Sequence, residues 1–391
     1  MKHIILLISI ISATINLHSQ DNIENILAEI ESNNTMLSAL RSSVEAQKLG
    51  NKTGNYLQNP EVEFHYLWSN PNTLGNRTDI SIKQSFDFPS AYAYGKQISD
   101  IKNKQADLEY KKQLRELMLK AHVVCLDLIY TNSLKVEYAT RLEHAKSVAD
   151  SYSSKYDIGD CNILEYNKAQ LNLFNISNEL ETIEIERVGL LAELAGLNGG
   201  KLIDFDVEEF PWIQLPQNFE QWYIVAESNN PLLAWLRQEI ELSHKQIKYS
   251  KAMSLPKIDA GYMSERIVGE QFQGIVVGLS IPLWENKNTV KYVRGNAIAF
   301  ESISEDQKQQ YFNHLNMLHS KAVGLQKSTD VFRNNLISFN SSNLLNKAME
   351  NGQFSLIEYI YELSTYYESK DKLLELELEL HKTAAELNQF K

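Results

Sequence analysis

The chain has 391 residues, with 38 Lys plus Arg against 50 Asp plus Glu and a formal net charge of −12. That acidic balance, with no basic cluster, excludes a phosphate-backbone binder, which groups Lys and Arg on one face. Sixteen Gly, eight Pro and 43% apolar residues exclude a low-complexity or disordered chain, and two cysteines, Cys125 and Cys161, are too few for a disulfide scaffold or a zinc knuckle.

Residues 1–19 read as a signal peptide. Lys2 supplies the positive charge, Ile4 to Ile11 is apolar apart from Ser9, and Leu17-His18-Ser19 fits a cleavage site before Gln20. The other reading is a short buried helix. No Cys lies near the cut, so no lipid anchor is expected. Beyond residue 20 no window of 18 mainly apolar residues occurs, which excludes a transmembrane helix. Barrel strands escape that test, because their alternation averages out.

The predicted elements then follow in one order, twice. A helix (about 22–54) precedes two alternating segments (about 60–69 and 78–88). A very long helix (about 93–156), a Gly-containing turn and another helix (about 161–196) complete the first unit, 20–209. Phe210-Pro211-Trp212-Ile213-Gln214-Leu215-Pro216 reads as an extended linker within 210–217. The second unit, 218–391, repeats the order: helix 219–252, strands 257–265 and 273–283, long helix 287–350, helix 354–389. Glu31-Ser32-Asn33-Asn34 recurs as Glu227-Ser228-Asn229-Asn230, an offset of 196, and Leu37, Leu40, Arg41, Pro60 and Tyr66 match Leu233, Leu236, Arg237, Pro256 and Tyr262 on that diagonal. Gly159-x-x-x-Ile163-Leu164-Glu165-Tyr166 is mirrored by Gly352-x-x-x-Leu356-Ile357-Glu358-Tyr359 at offset 193.

The long helices rest on 3- and 4-residue spacing, as in Leu114, Leu117, Ala121, Val124 and Leu128, and on the lack of Pro between Pro89 and Pro211. Sixty-odd residues make a helix of roughly 95 Å, which must lie beside other long helices. In the strands, Val62, Phe64, Tyr66 and Trp68 alternate with Glu61, Glu63, His65 and Ser69. Ile80, Ile82, Phe86 and Phe88 alternate with Asp79, Ser81, Lys83, Ser85 and Asp87. Ile258 and Tyr262 continue the pattern, followed by Ile275, Val277, Leu279 and Ile281. One account is a sheet whose apolar face covers a soluble core. The other is a lipid-facing surface, since strands of 9–11 residues have membrane-spanning length. Four strands cannot close a barrel, and open edges are not tolerated in lipid, so this account needs several chains. Three copies would supply twelve strands.

This order of elements resembles the TolC-type outer-membrane efflux family across the whole mature chain. The resemblance rests on the duplicated helix–strand–strand–helix–helix order and on Pro60 and Pro256 at the first strand of each copy. It also rests on Ser280-Ile281-Pro282-Leu283 at the last strand and on the turns Tyr156-Asp157-Ile158-Gly159 and Glu350-Asn351-Gly352-Gln353. It implies a mainly α fold with a small β part, long α-barrel helices, and four strands per chain in a 12-stranded trimeric β-barrel. It also implies an outer-membrane location with a large periplasmic portion, a periplasmic adaptor and an inner-membrane pump as partners, no cofactor, and passive export of small molecules or ions. The chain is short for the family and ends at the last predicted helix. The competing function is a soluble periplasmic coiled-coil adaptor or scaffold, but no lipoyl-like β segment flanks a helical hairpin.

Under the resemblance, Glu358 lines the closed aperture, with Glu165 as its first-copy counterpart. From the residues alone each is an ordinary solvated helix carboxylate. Like charges around a threefold axis would raise each other's pKa. The family's next lining acid falls on Tyr361, with Glu362 beside it. The turn residues Asp157, Ile158, Gly159, Asp160, Asn351, Gly352, Gln353 and Phe354 are the expected adaptor-facing set, with both glycines at positive φ. The lipid-facing set is Val62, Phe64, Tyr66, Trp68, Ile80, Ile82, Phe86, Ile258, Tyr262, Ile275, Val277, Leu279 and Ile281. His65, His122, His144, His244, His314, His319 and His381 have no metal-ligand spacing. No nucleophile elbow or phosphate loop appears, so no enzyme is expected. Cys161 sits at the turn while Cys125 lies roughly 46 Å up the helix, too far apart for a disulfide.

Overall fold

The structure is a computed structural model that describes residues 22–71, 75–284, 286–338, 345, 347 and 353–390. The signal-peptide assignment, Asn351 and Gly352 lie outside the described residues. In chain order the elements are α1 (22–33), α2 (Thr35–Gly50), β1 (Glu61–Leu67), β2 (Arg77–Phe86), α3 (Pro89–Asp157) and α4 (Ile163–Leu197). They continue as α5 (Phe219–Asn229), α6 (Pro231–Ala252), β3 (Lys257–Ile267), β4 (Glu270–Ser280), α7 (Thr289–Ser338) and α8 (Leu356–Leu387). The expected mainly α fold with a four-stranded sheet is what the chain adopts.

Two expected helices are each broken in two, at the shared Glu-Ser-Asn-Asn motif. Asn34 Oδ1 accepts the Leu37 N–H at 2.9 Å, and its amide donates to the Leu197 carbonyl at 2.7 Å. Asn230 Oδ1 accepts from Leu232 and Leu233, and Pro231 opens α6. Both asparagines are buried N-caps. The repeated motif is therefore a repeated helix restart.

The chain forms two compact units, and each draws on both sequence repeats. One holds 39–112 and 228–310: α2, the sheet, the start of α3, α6 and the start of α7. Its sheet is fully antiparallel in the order β1-β2-β3-β4. Gly261 of β3 is obligatory, since a Cβ there would lie 2.4 Å from the Ile82 carbonyl oxygen of β2. Along the helices of this unit, Lys48 of α2 pairs with Asp107 of α3 at 2.7 Å and Gln105 of α3 donates to Glu239 of α6 at 2.6 Å.

β3 and β4 meet in a two-residue turn, Val268-Gly269, with φ of 47° and 90°. β3 is longer than expected and β4 starts three residues earlier, because polar cross-strand partners such as Arg266 and Gln271 continue the ladder. β4 stops at Ser280 rather than 283, since Pro282 has no N–H to donate. Trp68, Phe88 and Ile281 thus lie just past strand ends.

The other unit holds 22–38, 113–227 and 311–390. Its main core packs α1 (Ile23, Ile26, Ile30) on the middle of α3 (Ala121, Cys125, Leu128, Ile129), on Leu194 of α4 and on the fully buried Phe205. A second core joins Val148 and Tyr152 of α3 to Ala169 of α4 and Leu356, Tyr359 and Leu363 of α8. Antiparallel ion pairs tie the helices: Lys120–Glu193 and Lys135–Glu184 join α3 to α4, and Lys370–Glu137 joins α8 to α3.

Candidate functional site

Three features of the chain could carry function: the sheet faces, the helix turn, and a buried charge pair between α3 and α8. Register fixes the sheet faces. Directly opposed residues share a face. The row Val62–Ile82–Tyr262–Ile275 is apolar across all four strands. Phe64–Ile80 lies on one side of it, and Ala260–Val277 and Phe86–Ile258–Leu279 on the other. Ile275 is 84% exposed and Val277 72%. All strand members of the expected lipid-facing set are therefore on one surface. At about 3.4 Å per residue and a tilt near 40°, the rows from Tyr66 to Leu279 span roughly 20 Å of height.

The opposite face carries Glu61, Glu63, His65, Asp79, Lys83, Asp259 and Glu265. Arg77 Nε reaches Asp79 on its own strand at 2.8 Å and Glu265 across the β2–β3 ladder at 3.1 Å, and Ser85 donates across it to Asp259 at 2.6 Å. Among the described residues, β1 and β4 each have one edge without a strand partner.

At the first turn, α3 ends in a Schellman cap. The Asp160 N–H reaches the Lys155 carbonyl at 2.8 Å, the Gly159 N–H reaches Tyr156 at 3.0 Å, and Gly159 has φ +75°. That glycine has the backbone expected of it. Ile158 projects into solvent, 78% exposed. Asn162 then caps α4, accepting from Leu164 and Glu165, while Glu165 Oε2 accepts the Asn162 N–H at 3.0 Å. Ser355 and Glu358 repeat this box at α8, the Ser355 N–H reaching Glu358 Oε2 at 2.9 Å. The paired Glu165 and Glu358 thus each close a capping box. The signal was present as Asn162-x-x-Glu165 and Ser355-x-x-Glu358, and the sequence reading missed it. Within one chain, that Ser355 N–H holds Glu358 below the usual carboxylate range. Tyr361 and Glu362 are exposed one turn on, and Gln353 and Phe354 precede the cap.

The sequence reading also missed Arg141. Its guanidinium is almost fully buried on α3 and forks onto Asp371 of α8, with Nη1 2.9 Å from Oδ2. Tyr138 and Tyr367 stack on it, with centroids at 4.3 and 4.5 Å, and Nη2 also donates to the Tyr367 carbonyl. His144 Nδ1 meets the Tyr367 hydroxyl at 3.0 Å. Burial pushes the Tyr367 phenol up to about 12. A small cavity beside the pair, about 200 Å³, is lined by residues of α3, α4 and α8.

Among the described residues, no group of three or more His, Cys, Asp or Glu could hold a metal ion. Among them, too, no helix is long and apolar enough to cross a membrane. Cys125 and Cys161 are both free, and burial raises the Cys125 thiol to about 12.

The fold has close counterparts among solved structures. CusC, whose structures follow folding and transmembrane channel formation, is 13% identical with a TM-score of 0.75, covering 93% of this chain and 91% of that one. The outer-membrane channel OprN is 12% identical with a TM-score of 0.76, covering 94% and 89%. The Campylobacter jejuni CmeC outer membrane channel is 12% identical with a TM-score of 0.74, covering 94% and 85%. No protein-family model and no curated protein matches the sequence. At these identities the likeness establishes the fold: the chain has the architecture of outer-membrane channels, as the TolC-type resemblance implied.

Proposed function

We propose that the chain is one subunit of an outer-membrane export channel. A single observation carries this reading: a sheet with one broadly exposed apolar face and two outer strands unpaired within the chain. An apolar sheet face of that extent needs lipid or a core to cover it, and open edges need partner strands. Three copies joined edge to edge give twelve strands, a closed wall with the acidic face inward. The two sequence repeats, 20–209 and 218–391, then each contribute one hairpin and one helical pair per copy.

Transport is passive. Small molecules or ions cross a water-filled lumen, and the driving energy comes from an inner-membrane pump reached through a periplasmic adaptor. Asp157, Ile158, Gly159, Asp160, Asn351, Gly352, Gln353 and Phe354 form the adaptor-facing end. Arg141–Asp371 ties α8 to α3 about sixteen residues back from that end, so parting the helices breaks this pair along with the Tyr152–Leu356 core. Glu358 and Glu165, with Tyr361 and Glu362, narrow the passage, their carboxylates held in place by the capping boxes.

Membrane fractionation and planar-bilayer recording of the purified full chain test this. A channel stays in the outer membrane, needs detergent for extraction and conducts in steps. A chain released by osmotic shock that never conducts would instead be the soluble scaffold.

A further inference from the structure

The helical unit has two exposed stripes where solvated faces are expected. On α4 the buried side follows Ala169, Ile183 and Leu194. The opposite side carries Leu171 (58% exposed), Phe174 (66%), Ile185 (68%) and Val188 (57%). These recur at heptad spacing, the pattern of a helix that expects a partner helix. The one charge in that stretch of the stripe is Glu181. On α7 the buried side follows Leu315, Leu318, Ala322 and Thr329, and the opposite side shows Met317, Val323, Val331 and Ile337. Two charges fall among them, Lys327 and, at the margin, Asp330, which already pairs with Arg333. Among the described residues, neither Glu181 nor Lys327 has a hydrogen bond or ion pair, although most charges around them do.

The ion pairs within the unit set the relative heights. Lys135–Glu184 puts Glu181 level with Tyr138 of α3, and Tyr138 and Arg141 both reach Asp371 of α8. Arg333–Glu377 and Lys321–Glu379 carry that level across to α7. Counting along the helices places Glu181 and Lys327 within about two turns of one height, roughly 10 Å. The same pairs make α4 and α7 antiparallel.

We propose that the α4 stripe of one copy packs against the α7 stripe of the next copy, with Glu181 and Lys327 as the ion pair that sets the register of this seam. The proposal rests on the reading of the chain as a ring-forming subunit and names its helical contact. With Glu181 opposite Lys327, Ile185 meets Val323, and Phe174 falls between Val331 and Ile337. The stripes differ, so the contact is head-to-tail, the kind that closes a ring. The sheet has the same sense, since β1 comes from the first repeat and β4 from the second. One unpartnered opposite-charge pair in a largely apolar seam, with Asn178 opposite Asp330 beside it, serves register better than stability.

The test is a charge swap in the full-length chain, read as heat-resistant oligomer on semi-native gels of detergent extracts. Glu181→Lys and Lys327→Glu should each lose most of the oligomer, and the double variant should recover it. As a second measurement, Glu181→Cys with Lys327→Cys in a Cys161→Ser background should form an oxidant-dependent bond between copies. Wild-type oligomer yield in all three charge variants, with no cross-link, overturns the seam and leaves the channel reading standing. A wild-type chain that is monomeric in every detergent overturns both.

Discussion

Placing an arginine at Ile275 is the sharpest test of the sheet assignment. Ile275 is 84% exposed and sits in the one row that is apolar on all four strands. On the proposed channel reading, an arginine there enters lipid near mid-depth, which costs about 2–4 kcal/mol per copy. Three copies in the proposed barrel would multiply that penalty. Gln271 lies on the same face four residues away, about 10 Å closer to one boundary at the expected tilt, where the cost falls to about 0–1 kcal/mol. Glu63 faces the other way, so Glu63→Arg meets no lipid. The assay is folding of the purified chain into lipid vesicles across a urea series, read by protease protection. The expected order of lost stability is Ile275→Arg well above Gln271→Arg, with Glu63→Arg near wild type. Equal behaviour of Ile275→Arg and Glu63→Arg would refute the two-faced sheet.

Arg141→Met leaves Asp371 without its partner. A fully buried broken pair costs about 3–5 kcal/mol, and Asp371, with 25% of its side chain exposed, should cost about 2–3 kcal/mol, seen as a lowered Tm. If the pair also restrains the helices, the same variant should raise single-channel conductance. Glu358→Gln keeps a hydrogen-bonding cap while removing the charge, so it should weaken divalent-cation block without altering helix content, whereas Glu358→Ala should change both. Because Glu358 titrates below its usual range, its ionised form persists as pH falls. The cap's contribution should hold from pH 8 to 6 and be lost only as pH falls through the lowered titration of Glu358, below the ordinary glutamate range. Gly159→Val forces a β-branched residue to φ +75°, at about 1–2 kcal/mol, and should be read as faster proteolysis at the turn with oligomer yield unchanged. Asn230→Ala removes an N-cap with two hydrogen bonds and should cost about 1 kcal/mol in urea unfolding.

The duplicated order, the long helices and the alternating strands were legible because period and repetition survive without tertiary context. Boundaries were not. The breaks at Asn34 and Asn230 had their signals in plain sight, an Asn before each restart and Pro231 at the second, yet apolar spacing ran through them. The β3–β4 turn hid because Val268 occupies a left-handed position usually given to Asn or Gly. Glu165 and Glu358 were singled out for their charge, while their local geometry makes them caps first. Arg141 could not have been found: its partner is 230 residues away, and only the packing of α8 on α3 brings Asp371 to it.

The sheet joins strands that are far apart in the sequence. β1 and β2 are complete by Phe86, but β3 begins only at Lys257, about 170 residues later. During synthesis the first hairpin must therefore wait with its apolar surface and β2 edge exposed while the α3–α4 helices are already made. Local helices form quickly, whereas such distant pairing is slow and prone to aggregation. Until then the open β2 edge is the part of the hairpin most prone to wrong pairing. The crucial interval ends when β3 arrives and closes the seam between the repeats.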